Sequence, residues 1–168
     1  MIELYEGVPG SGKSYHAICE KFLPWVKQGR RLYIAVDGIY LDRLSLFTGI
    51  DLQTLEQQIT IWKDSVEVLQ AFPHVEPGSA VIIDEAQTVF RSMQKVEPGL
   101  LRWLETHRHY GVDILLMSQD FRQMSQGVTR LIEATVKFRK LAFVGLSKKY
   151  QGKVRGNPED NEVIRAFV

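Results

Sequence analysis

Residues 7–14 read Gly7-Val8-Pro9-Gly10-Ser11-Gly12-Lys13-Ser14, which satisfies G-x-x-x-x-G-K-[ST] at every position. The alternating run "IELYE" precedes this stretch and an apolar-periodic stretch follows it, so the loop is expected to join a strand to the first turn of a helix. Glycines in that setting let backbone N–H groups point inward, and the helix start adds the positive end of its dipole. Such a turn grips a phosphate chain. Lys13 is placed to bridge β- and γ-phosphate oxygens, and the Ser14 hydroxyl to ligate Mg²⁺. Gly7, Val8, Pro9, Gly10, Ser11, Gly12, Lys13 and Ser14, with Tyr15 directly after, form the expected cofactor-binding set for ATP. The competing reading is a glycine-rich turn that binds nothing.

The remainder of the chain suits such a loop. Strands are expected at 2–6, 31–36, 59–63, 79–84 and 112–118, with helices between several of them. That alternation argues a P-loop α/β fold of RecA/ASCE type, a mostly parallel sheet with helices on both faces. A helix is expected over 13–28, kinked or divided near Leu23 by Pro24. Another is expected from Pro98 to about Tyr110, stopped by Gly111 and burying Leu100, Leu101 and Leu104. The stretch 37–78 gives few signals. Residues 1–135 are read as the core, and 136–168 as a basic β-hairpin extension of the same domain. Lys137, Arg139, Lys140, Lys148, Lys149, Lys153 and Arg155 fall within 136–155 without one acid.

Whether the nucleotide is broken depends on a second site. "AVIIDEAQ" at 80–87 is an apolar strand ending in adjacent carboxylates. Asp84 would hold the Mg²⁺ shell, and Glu85 would reach toward the γ-phosphate, where a carboxylate polarises an attacking water. The alternative is an acidic pair capping the next helix. The following strand, "VDILLMSQD", ends in Ser118 and Gln119. If it lies between the strand leading to Lys13 and the strand leading to Asp84, Gln119 points at the γ-phosphate and senses it. A solvated turn is the competing reading for "SQD".

Several classes are unsupported. The asparagines, Asn157 and Asn161, make no N-K-x-D for guanine, and 168 residues cannot hold the second core of a two-core helicase. His16, His74, His107 and His109 lack metal-ligand spacing. Cys19, alone, excludes an internal disulfide and is expected to pack with Tyr15, Phe22 and Leu23. No signal peptide precedes "IELYE", and no run approaches the ~18 apolar residues of a membrane span, so a soluble domain is expected. A small-molecule kinase would need an acceptor pocket and an arginine-bearing lid, for which 37–78 offers Arg43 alone. A nucleotide-gated module with negligible hydrolysis stays open.

Gly7–Ser14, "VIIDEAQ" at 81–87 and above all "LETHRHYGVDILLMSQD" at 104–120 resemble the zonular occludens toxin (Zot) family, the filamentous-phage assembly and export ATPases. The resemblance covers about 1–135. It implies a domain on the cytoplasmic face of the bacterial inner membrane, ahead of a single membrane helix. It further implies an ATP-driven step in moving phage single-stranded DNA and coat protein through that membrane. Any toxin activity would belong to a part beyond the membrane helix. Nucleotide binding falls to Gly7–Ser14, Mg²⁺ and water activation to Asp84 and Glu85, and γ-phosphate sensing to Gln119. The resemblance also implies a homo-oligomer in which a neighbour supplies an arginine, the candidates being Arg108, Arg130 and Arg139, with Arg108 able to act only in trans. The basic segment 137–155 has two functional readings, anionic lipid or a DNA backbone stacked on Phe138, Phe143 or Tyr150.

Overall fold

The computed structural model describes residues 1–141 and 149–168. The strands β1 (Ile2–Glu6), β2 (Leu32–Ala35), β3 (Ile59–Ile61), β4 (Ala80–Ile83), β5 (Asp113–Ser118), β6 (Ala134–Lys140), β7 (Tyr150–Arg155) and β8 (Arg165–Phe167) join in one sheet. Their order is β3-β2-β4-β5-β1-β6-β7-β8. The first six run parallel, while β7 and β8 run antiparallel to their neighbours. The five expected strands are all present, each trimmed by up to two residues. The segment from 136, expected to stand outside the core, shares β6 with it: Tyr5 pairs with Val136 on one side and Val136 with Val154 on the other. Val136 and Phe138 are buried there, which ties β6 to the sheet centre.

Helices cover both faces because parallel strands bury both sides of the pleat. One face carries α1 (Lys13–Ala17), a π turn at Ile18–Phe22, α2 (Leu23–Lys27), α3 (Leu41–Thr48) and α4 (Leu52–Gln58). Ala17, Phe22, Val26, Leu44 and Leu55 pack there on Tyr5, Ile34, Ile82 and Met117. The opposite face receives α5 (Ser65–Ala71), α6 (Ala86–Val89), α7 (Pro98–Thr106) and α8 (Gln126–Thr129). Phe72, Phe90, Leu100, Leu104 and Val128 pack there on Leu4, Ile83, Ile114 and Leu116.

Pro24 does not end the first helix. Proline has no N–H for the carbonyl four residues back and its ring crowds that carbonyl. The π turn immediately upstream widens the spiral where this conflict falls, so the helix continues through Pro24 as α2. The helix from Pro98 changes character near its end: α7 gives way to a 3₁₀ turn at His107–Tyr110, and Gly111 closes it at φ 65°. In 37–78 the starts of α4 and α5 are set by side chains. Asp51 accepts from Thr54 N–H, and Asp64 accepts from the N–H groups of Val66 and Glu67. No helix among the described residues is long and apolar enough to cross a membrane.

Candidate nucleotide site

The C-terminal ends of β1, β4 and β5 meet at one edge of the sheet, with β5 between the other two. This is the arrangement on which the expected position of Gln119 depends. From β1 the chain turns through Gly7–Gly12 into α1. Gly10 and Gly12 have φ of 72° and 100°, a region that side chains rarely enter. Gly7 is required for close approach, since a Cβ there would lie 2.6 Å from Ser11 Oγ and 2.7 Å from the Phe138 carbonyl oxygen. Gly12 meets a second constraint, because its added Cβ would fall 2.6 Å from the Tyr150 ring. Lys13 is folded into the loop, 7% exposed, and its Nζ donates to the Gly7 carbonyl at 2.7 Å. Ser11 Oγ is buried inside the loop without a partner among the described residues. A cradle that holds an ammonium and an orphaned hydroxyl suits a phosphate chain.

Ser14 stands next to Lys13, and its hydroxyl donates to Asp84 Oδ2 at 3.4 Å. Asp84 follows β4, its N–H bonded to the Ala35 carbonyl. Burial is the main cause that raises its pKa above the usual carboxylate range, and the charge of Glu85 adds to it. The Glu85 N–H, Lys13 and Ser14 act the other way. A half-buried carboxylate beside a hydroxyl is a hard-oxygen donor pair. It fits Mg²⁺, which takes one or two protein oxygens and completes its shell with phosphate and water. No group of three or more His, Cys, Asp or Glu gathers into a metal cage among the described residues.

Glu85 has φ 48°, the one positive value outside glycine among the described residues. It occupies the N-cap of α6, yet its side chain caps nothing. The carboxylate instead accepts from Gln87 and lies 3.4 Å from Gln119 Nε2 through both oxygens. Glu85 also lines a 320 Å³ cleft with Asp37, Trp62, Lys63, Asp64 and Asp84.

The arginines are dispersed. Arg108 donates to Glu133, whose carboxylate also receives the Ile2 N–H, so Arg108 sits at the start of β1. That is about 16 Å along the strand from the loop, at ~3.3 Å per residue. Arg130 is exposed just beyond α8, three residues before Glu133. Arg139 lines a 660 Å³ cavity with Gly7, Val8, Gln119, Arg122 and Lys137. Arg122, not singled out from the sequence, is gripped by both oxygens of Asp120 at 2.7–3.1 Å. Its local signal was present: an acid and an arginine two residues apart, directly after Gln119. Tyr150 had no local signal, since it reaches Gly12 through the strand pairing.

Tyr15 is exposed beside the loop, its ring 6.3 Å from that of Tyr150. Phe138 and Tyr150, two of the rings that the DNA reading would use for stacking, pack within the domain, Phe138 buried and Tyr150 partly exposed. Phe138 is buried against Tyr5 and His16, and Tyr150 lies over Gly12 with its hydroxyl 3.2 Å from His16 Nδ1. Phe143 lies outside the described residues.

A glycine-rich loop after the first strand, a carboxylate pair after the fourth and a glutamine after the strand between them are placed as in a P-loop NTPase fold. The solved structures agree. The genome packaging NTPase B204 of Sulfolobus turreted icosahedral virus 2, in complex with ATP-gammaS, superposes with a TM-score of 0.65 at 18% identity, over 96% of this chain and 95% of that one. The N-terminal domain of zonular occludens toxin from Neisseria meningitidis superposes at 0.60 and 21% identity, over 93% of this chain and 83% of that one. The chain belongs to the zonular occludens toxin (Zot) family, whose model matches residues 1–165. Its relatives include the gene 1 protein of Xanthomonas phage phiLf, 26% identical over 90% of this chain and 37% of that protein. The putative assembly protein ORF301 of Pseudomonas phage Pf3 is 26% identical over 96% of this chain and 50% of its own length. The chain thus spans half or less of these relatives.

Proposed function

We propose that the chain is the ATP-binding and ATP-hydrolysing domain of a filamentous-phage assembly protein, working at the cytoplasmic face of the inner membrane. The observation that carries this reading is the position of Glu85: strained, uncapping, and directed with Gln119 beside the Ser14–Asp84 pair. Lys13 and the loop amides hold the phosphates, Ser14 and Asp84 hold Mg²⁺, and Glu85 polarises the water. Gln119 registers the γ-phosphate through its bond to Glu85. The phage relatives supply the setting, and coat, membrane and DNA partners follow from it.

The self-associated form is part of the proposal. A neighbouring copy would bring an arginine to the developing charge, from Arg108, Arg130 or Arg139. Arg108 would first have to leave Glu133. A second reading, a nucleotide-gated module that hydrolyses little alone, draws on one observation: Gln87 and Gln119 both occupy the Glu85 carboxylate. Phosphate release from Mg-ATP across a wide range of protein concentration separates the two. The self-associating ATPase reading expects release per subunit to rise with concentration and to vanish in Lys13→Ala. Flat, negligible release beside intact ATP binding leaves the gated module.

A further inference from the structure

Strands β6, β7 and β8 carry the sheet past β1 with a single face covered. Toward α1, Val136, Phe138, Tyr150, Val154 and Phe167 join the packing around Tyr5 and His16. On the other side α8 ends at Thr129, and no described helix follows β6. Alternation along the strands places Lys137, Arg139, Gln151, Lys153 and Arg155 on that open face. They line a shallow depression of 170 Å³.

The register sets Lys137 directly opposite Lys153. Like charges in that position repel and weaken an antiparallel pair. Glu6 relieves part of this, with its carboxylate 3.4 Å from Lys137 Nζ. Asp120, a second acid near Lys137, is occupied by Arg122. Arg139 and Lys153 have no carboxylate within ion-pair reach among the described residues, while Arg155 is held within the fold, its Nη1 donating to the Asp160 carbonyl at 3.2 Å and its Nε buried. The face therefore holds a positive excess that an external anion would offset.

Two anionic surfaces differ in what else they bring. Single-stranded nucleic acid brings bases, which binding proteins hold on exposed aromatic rings. Phe138, Tyr150 and Phe167 all turn to the covered side. The open face is bordered instead by aliphatics. Ala166 stands opposite Lys153, and Ile164 and Val168 on either side of it are 71% and 68% exposed. Basic residues beside exposed aliphatic ones are the composition that holds a protein on anionic lipid. We propose that this sheet face docks on an anionic bilayer surface, with Lys137, Arg139 and Lys153 against headgroup phosphates and Ile164 at the headgroup boundary. The proposal goes beyond the nucleotide reading and does not rest on it.

Sedimentation of the nucleotide-free 168-residue chain with vesicles tests this, using phosphatidylcholine with about 30% phosphatidylglycerol against phosphatidylcholine alone, at ~0.1 M salt. The chain is expected to partition onto the anionic vesicles only, and to be released as salt rises toward ~1 M. Arg139→Ser with Lys153→Ser should weaken partition about 25-fold, at about fivefold per charge. Arg139→Lys with Lys153→Arg should restore it, and Ile164→Ser should weaken it with every charge retained. Equal partition onto neutral vesicles, no partition, or an unchanged double-serine variant would overturn the proposal. It would equally fall if an oligothymidylate strand of comparable charge bound more tightly than the vesicles and lost its binding in the same double variant, which would make the face a nucleic-acid surface.

Discussion

The carboxylate of Glu85 lies 3.4 Å from Gln119 Nε2 and caps none of the backbone N–H groups of the helix that Glu85 itself begins. Residues at a helix start normally use a side-chain oxygen to satisfy free N–H groups. Here that stabilisation is forgone, and two strand ends are joined across the sheet edge. If Glu85 polarises water, Glu85→Gln should retain ATP affinity within about threefold and lower phosphate release by ~10²–10⁴. Gln119→Ala should lower release less and leave binding intact. Isothermal titration with a slowly hydrolysed analogue, beside a phosphate-release assay, checks both; parental turnover in Glu85→Gln would remove the proposed role.

The backbone at Glu85 supplies an independent prediction. A left-handed conformation outside glycine costs roughly 1–2 kcal/mol, and the Glu85 φ of 48° falls in that region. Glu85→Gly should therefore raise ligand-free stability by about 1 kcal/mol while abolishing hydrolysis. Urea unfolding gives the first quantity. A midpoint at or below the parent's would show that the position is not strained.

Gly12 is constrained twice, by φ 100° and by the Tyr150 ring. Gly12→Ala should destabilise the fold by about 1–3 kcal/mol and distort the loop enough to lose ATP binding. Gly12→Ala with Tyr150→Ala removes the ring contact and leaves the dihedral penalty, so ATP binding should remain lost. If the double variant binds ATP like the parent, the ring alone enforces the glycine.

Asp84 is held with a raised pKa, chiefly by burial and secondarily by Glu85. A carboxyl whose folded pKa exceeds its unfolded value of about 3.9 binds protons more tightly when folded. Its ionised form thus opposes folding at neutral pH. That cost disappears as pH falls through the raised value. Asp84→Asn should melt higher than the parent at pH 7.5 without ligand, and the gap should close on acidification. Mg-ATP should raise the melting temperature of the parent and not that of the variant. Thermal melts at several pH values, with and without Mg-ATP, report both effects.

The strand–loop–helix turn at 7–14 was legible from the sequence because its determinants are local: glycines, lysine and serine lie within eight residues of one another. The strands of the central sheet were legible for the same reason, as short apolar runs closed by turn residues. What could not be read is set across strands. The contact of Tyr150 with Gly12 exists because β7 pairs with β6 and β6 with β1, a register no single stretch encodes. The stretch 37–78 was obscure because Asp51 and Asp64 start short helices there without an extended apolar period behind them. Arg108, expected far from its own phosphates, is at the opposite strand ends, where Glu133 receives it together with the Ile2 N–H.

That opposite edge contains its own titrating group. His107 is 3% exposed, and its Nδ1 lies 2.7 Å from the Leu104 carbonyl. A carbonyl only accepts, so Nδ1 carries the proton and donates. Nε2 is buried without a hydrogen-bond partner, 3.7 Å from Glu133 Oε1. Burial lowers the His107 pKa, assisted by the N-terminal amine and Arg108, while the Leu104 carbonyl and Glu133 oppose the shift. Lowered folded affinity means that the unfolded chain binds the proton more tightly, so stability is full above the unfolded pKa of about 6.5 and declines as pH falls below it. His16, also lowered by burial, adds to the same decline. His107→Gln should be less stable than the parent at pH 7.5, for the lost packing, yet lose less between pH 7.5 and 5.5. Urea midpoints at the two pH values measure this. Parallel losses in parent and variant would mean that His107 stays neutral in the unfolded chain too, or takes its proton in the fold by pairing with Glu133, and either outcome contradicts the burial argument.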